Sequence, residues 1–77
     1  MWSRPGLDRK TRSLLTVALL TALRAHGELA GHVRGALNNG ASVDEITETI
    51  IHAVGYVGAP AGMSAMTVAQ KVFDEQR

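Results

Sequence analysis

The chain has 77 residues and no cysteine, with eight Lys and Arg against seven Asp and Glu and a formal charge of +1. A chain this short buries only ~60% of the surface it exposes when unfolded, so it makes one domain at most, with a slim margin from its own core. The missing thiols exclude disulfides, thiolate zinc sites and thiol redox chemistry, and the near-neutral charge offers no general field for nucleic acid or an anionic membrane.

Without those staples, association with copies of itself is the remaining support, and a homo-oligomer is expected. The composition is 45% hydrophobic but 4% aromatic, which predicts an aliphatic core of closely packed helices. The opening Met1–Gly6 carries the turn signal Pro5-Gly6 and is expected to be extended. Asp8 is the predicted N-cap of a first helix from about Arg9 to Ala25. Leu14, Leu15, Val17, Ala18, Leu19, Ala22 and Leu23 cover more than one stripe of it, which marks a central helix or one facing a partner subunit. The basic cluster Arg4, Arg9, Lys10 and Arg12 ahead of the run Leu14–Leu23 superficially resembles a secretory signal. Asp8 within the basic segment, Thr16 and Thr21 within the run and Arg24 after it argue against that reading. The run is also too short to span a bilayer. A cytoplasmic location without membrane contact is expected.

Gly27 is expected to end or relax the first helix, and Glu28–Leu37 reads as the second, with Leu29, Val33, Ala36 and Leu37 at helical spacing. Gly27, Gly31 and Gly35 recur every four residues and predict a backbone that another helix approaches closely. Asn38-Asn39-Gly40 supplies a stop. Ser42 with Glu45 forms a capping box and predicts a third helix from Val43 to about Val57, with a core stripe of Ile46, Ile50, Ala53, Val54 and Val57. Gly58 and Pro60 mark the next break, Pro60 being suited to a first helical turn. A last helix, about Ala61 to Asp74, presents Met63, Met66, Val68, Ala69, Val72 and Phe73. The predicted fold is all-α, four helices joined by short loops.

No metal-binding spacing, nucleophile elbow, P-loop or dinucleotide fingerprint is present, so the polar residues point to acid–base chemistry or to binding. Glu28 and His32 lie four positions apart on the second helix, where a carboxylate can hold an imidazole in orientation and favour its protonated form. The same spacing fits an ordinary surface pair. His52 and Tyr56 form a similar pair on the third helix, with Tyr56 near the Gly58/Pro60 break. Trp2 reads either as an anchor at a subunit seam or as a loose end.

The string Trp2-Ser3-Arg4-Pro5-Gly6-Leu7-Asp8, then Thr11-Arg12-Ser13-Leu14, resembles the opening of the carboxymuconolactone decarboxylase core. Glu28-Leu29 with His32-Val33-Arg34, Ala36-Leu37-Asn38-Asn39-Gly40, and the run from Glu45 through Tyr56 to Pro60-Ala61 continue the likeness in one register over nearly the whole chain. The resemblance implies an antiparallel array of the alkylhydroperoxidase D-like type that forms oligomers. That related group uses Cys-x-x-Cys-x-x-x-His; here the histidine falls on His32 and the cysteines on Ala25 and Glu28, so a peroxidase is excluded and Glu28 is similar to the decarboxylase branch. The implied function is cofactor-independent decarboxylation, with no metal, of a lactone dicarboxylate in the β-ketoadipate (protocatechuate) route. In that reading His32 is the proton donor, Glu28 orients it, and Tyr56 hydrogen-bonds the lactone or shapes the pocket. Charge logic adds Arg12 and Arg4 as carboxylate anchors. A non-catalytic helical assembly module, or an enzyme acting on another small lactone or carbonyl compound, are the alternatives. Members of the family usually carry further N-terminal helices before the Trp-Ser-Arg-Pro segment, so the likeness is to the C-terminal core portion, truncated at its N-terminus.

Overall fold

The computed structural model describes residues 2–76. Four helices make up the fold: α1 (Arg9–Leu23), α2 (His26–Asn38), α3 (Val43–Val57) and α4 (Ala59–Glu75). The first packs against α2 and α3, and α4 closes the ring against the same two helices. At the centre, Val17, Leu29, Val33, Ile46, Ile50 and Val72 are shut off from solvent. The all-α expectation holds, and no helix among the described residues is long and apolar enough to cross a membrane.

Local chemistry sets the ends. Asp8 accepts a hydrogen bond from the Thr11 N–H at 2.7 Å and caps α1. That bond, strongest among its influences, holds the Asp8 carboxyl below its ordinary pKa. Ser42 and Glu45 complete the predicted box: Glu45 N–H donates to Ser42 Oγ at 3.0 Å, and Ser42 N–H to Glu45 Oε1 at 2.9 Å. Gly40, at φ 96°, provides the left-handed stop after α2, as the Asn-Asn-Gly string predicts.

Three boundaries differ from expectation. The first helix ends at Leu23 because Arg24 itself turns left-handed, at φ 56°. Arg24 N–H then donates to the Thr21 carbonyl at 3.2 Å and Ala25 N–H to Leu20 at 3.1 Å, the paired bonds of a Schellman stop. Gly27 therefore breaks nothing; it sits in the first turn of α2, which begins at His26 rather than Glu28. The fourth helix likewise starts early, at Ala59, with a proline in its opening positions, where a missing N–H costs nothing.

Two packing expectations are not met within this chain. A side chain built at Gly27, Gly31 or Gly35 would meet nothing within 4 Å, so no helix of this chain approaches that stripe. The close approach occurs at Gly62, where a Cβ would collide with the Val54 side chain. Gly58 alone joins α3 to α4, and so short a junction leaves no separation between their adjoining ends. For the same reason the start of α4 turns its small residues inward. Ala61, Gly62, Ala65 and Ala69 are buried, while Met63, expected in the core, is 71% exposed.

Candidate functional site

Residues 2–8 are not extended, as the opening was expected to be. Turns at Trp2-Ser3 and Pro5-Gly6 fold them back on the helices; Met1 lies outside the described residues. The side chain of Arg12 gathers this segment. Its Nε donates to the Leu7 carbonyl at 3.0 Å and its Nη2 to the Arg4 carbonyl at 2.6 Å. A guanidinium presents five donors in a fixed fork, so two are spent here and three remain for a ligand. The contact involves the Arg4 backbone, and the Arg4 side chain stays exposed.

The folded-back segment brings Trp2 onto His32 of α2. Their ring centroids are 6.5 Å apart and their planes differ by 20°, an offset stack within the range aromatic pairs favour, worth about 0.5–1.5 kcal/mol. Trp2 also helps line a cleft of about 170 Å³ with Leu7, Arg12, Leu15 and Thr16. An imidazole, a guanidinium and an apolar wall thus converge on one end of the molecule, with Trp2 shared between imidazole and cleft.

Other candidates do not join this group within one chain. Glu28 is exposed on the first turn of α2 and makes no hydrogen bond to His32. Tyr56 is 81% exposed and meets His52, with ring centroids 5.4 Å apart and planes tilted by 47°; it is not part of the cleft lining. Among the described residues no three His, Asp or Glu side chains gather as metal ligands would. Two larger hollows lie elsewhere. One of about 410 Å³ between α3 and α4 is walled by Ile51, Val54, Met63 and other apolar residues and presents no acid, base or cation. The other, about 430 Å³ along α4 beside Lys71 and Asp74, contains no histidine or arginine.

Trp2, which stacks on His32 and lines the cleft with Arg12, was not among the expected site residues. The available signal was Trp2 itself, a lone indole near a turn, which the spacing rules cannot connect to a residue thirty positions on. The backbone role of Arg12 was missed as well, because a carbonyl acceptor has no residue-type signature.

Comparison with known proteins bears on the family of the chain. The profile of the carboxymuconolactone decarboxylase family matches residues 1–71. The chain is 49% identical over 75 residues to a 4-carboxymuconolactone decarboxylase of Acinetobacter baylyi, covering 97% of this chain and 56% of that protein. It is also 49% identical over 75 residues to a nitrosuccinic acid decarboxylase of Metarhizium robertsii, covering 97% of this chain and 52% of that one. An uncharacterized 15.0 kDa protein of Paracoccus denitrificans is 43% identical over 77 residues, of which the chain spans 58%. The chain therefore spans little more than half the length of these relatives. With the family profile matching residues 1–71 and 49% identity to two of these relatives, the chain belongs to the carboxymuconolactone decarboxylase family.

Proposed function

We propose that this chain carries the acid–base core of a cofactor-independent decarboxylase for a small dicarboxylate, with carboxymuconolactone in the β-ketoadipate route as the first candidate. The observation that carries this reading is the 49% identity, over nearly the whole chain, to two proteins that are both named as decarboxylases of acids. Their named substrates share a logic. A lactone in one and a nitro group in the other can take up the electron pair that a departing carboxylate leaves behind. An enzyme for such a substrate supplies anchoring, a drier site and a proton.

On this reading the bond to the carboxylate breaks, carbon dioxide leaves, and the pair spreads into the unsaturated lactone. His32 then gives its proton to the resulting carbanion and recovers one from water. The free N–H groups of Arg12 bind a substrate carboxylate, with the exposed Arg4 side chain in reach of the same end. Tyr56 as the lactone's hydrogen-bond donor belongs to an assembled protein, since it makes no such contact within one chain. Glu28, on the same helix as His32 but not bonded to it, is left without the orienting role.

Assembly is part of the proposal. A binding site usually encloses ~300 Å³ or more, and the cleft offers about 170 Å³. Beside it Leu15, Leu19 and Leu23 are 50%, 62% and 73% exposed, on a stretch with no charge between Ser13 and Leu23. We assign this leucine face to a homo-oligomer contact of a cytoplasmic protein. The face equally favours a second reading, an assembly module without chemistry. The nitrosuccinic acid relative favours a third, an enzyme with another small acid as substrate.

Mixing the purified chain with carboxymuconolactone and following its loss tests the proposal, with turnover above background expected. No turnover with this compound or with nitrosuccinate leaves the assembly module. Light scattering at micromolar concentration should report an oligomer, and a monomer refutes the leucine-face assignment.

A further inference from the structure

In this structure the imidazole of His32 has no hydrogen-bond partner among the described residues; what meets it is the indole of Trp2. Trp2 is held there from a distance. Asp8 fixes the segment to the start of α1 through Thr11, and Arg12 fixes it again through the carbonyls of Leu7 and Arg4. The Pro5-Gly6 turn lies between the Arg4 and Leu7 anchors, and only Ser3 separates Trp2 from the Arg4 anchor, so little slack remains.

We propose that Trp2 is the positioning residue for His32, and that Arg12 acts on His32 through it. The inference rests on the reading of His32 as proton donor. A stacked indole restrains the imidazole plane while leaving both ring nitrogens free along the edge. One nitrogen can then deliver a proton to substrate while the other exchanges with water. A carboxylate partner such as Glu28 would instead occupy one nitrogen. The arrangement also ties substrate anchoring to proton delivery, because Arg12 lines the cleft and clamps the segment that carries Trp2. Lysine cannot replace it, since a single ammonium lacks the planar fork that reaches two carbonyls.

The test reads the stack directly and then its consequence. In proton NMR of the full chain, the His32 ring resonances should be shifted upfield by the indole and return toward free-imidazole positions in Trp2→Ala. Arg12→Ala and Arg12→Lys should move them the same way, with the methyl resonances of Val17, Leu29 and Ile50 unchanged as the folding control. Trp2→Phe should keep most of the shift. In turnover, Trp2→Ala should lower kcat about ten- to a hundredfold, as misorientation of a reacting group does, with KM nearly constant and Trp2→Phe largely restoring the rate. His32 resonances indifferent to Trp2→Ala overturn the inference. So does an unchanged kcat in Trp2→Ala when His32→Ala is inactive. Full activity in His32→Ala is a different failure: it removes the proton-donor reading while the ring shifts stand.

Discussion

Helices α1 and α3 are each 15 residues long and each packs mainly against two neighbours, yet their most deeply buried residues differ in kind. In α3 the buried residues are Ile46, Ile50 and Ala53, the stripe that helical periodicity singles out. In α1 they are Ser13, Val17 and Thr21, while Leu15, Leu19 and Leu23 face outward. Hydrophobicity selects the face of α3. In α1 small and β-branched residues take the most deeply buried positions, with Leu14 and Leu20 packed against the core beside them. The buried hydroxyls cost little because both are satisfied: Thr21 Oγ1 donates to the Val17 carbonyl at 2.8 Å, and Ser13 Oγ accepts from Asn39 Nδ2 at 2.9 Å. A leucine gains about 1.5–3 kcal/mol when fully buried, so the outer face of α1 holds several kcal/mol for whatever covers it.

That contrast can be broken most sharply in α3. Ile50→Ala empties a fully enclosed site and should destabilise the chain by about 2–5 kcal/mol in urea unfolding. A cost under about 1 kcal/mol would mean that α3 is not the stronger half of the core. In α1, Leu19→Ala separates covered from bare. With the leucine face in an oligomer, the wild-type Tm rises with protein concentration, and Leu19→Ala should abolish that rise. A concentration-independent Tm in both chains returns the face to solvent, where the same change is worth no more than about 0.5 kcal/mol.

Smaller effects test the ends and the glycine stripe. Ser42→Ala removes half of the capping box and should cost about 1 kcal/mol, read as a lower urea midpoint with the slope unchanged. Gly31→Ala enters open space and should stabilise α2 by about 0.5–1 kcal/mol. If it weakens association instead, the stripe is an approach face between subunits rather than within one.

The smallest effect is electrostatic. The Glu45 carboxyl is held below its ordinary value chiefly by the Lys10 ammonium, 2.9 Å away, and then by the Ser42 N–H; that of Asp8 is lowered by the Thr11 N–H. Each contribution is present above the carboxylate's unfolded pKa and is lost as pH falls through the lower folded one. Stability should therefore decline in acid below about pH 4, and less steeply in a Lys10→Met chain. Lys10, raised by the same pairing, keeps its share below its unfolded pKa and loses it as pH climbs through the folded one. Both ends are exposed, so the slopes are shallow and shrink with salt.

Most of the secondary structure was legible because its causes are local. Asp8, the Ser42–Glu45 box, Asn39-Gly40 and Gly58 each act on a backbone group within a few residues, and a string of letters displays them in full. Arg24 was not legible. A left-handed arginine is disfavoured by its own Cβ, and no residue type among positions 20–25 marks the local bonds that accompany it. Its side-chain bond to Ser64, forty positions on, belongs to the tertiary structure. The candidate site divides the same way. His32 was proposed from the family motif and Arg12 from charge, whereas the stack on Trp2 has no signal in the sequence.

From the sequence alone came an aliphatic, cysteine-free, four-helix chain, the positions of most caps, the family likeness and the residues able to do acid–base chemistry. The tertiary structure decided which side of α1 is inside, which glycine admits a neighbour, and what holds His32. The physical reason is range. Caps and periodicity are settled within one or two turns, but a helix apolar on most sides has no preferred face until its neighbours fix the space available. Trp2 and His32 meet thirty positions apart, where the opening segment folds back across the helices with two of its carbonyls bonded to the Arg12 fork.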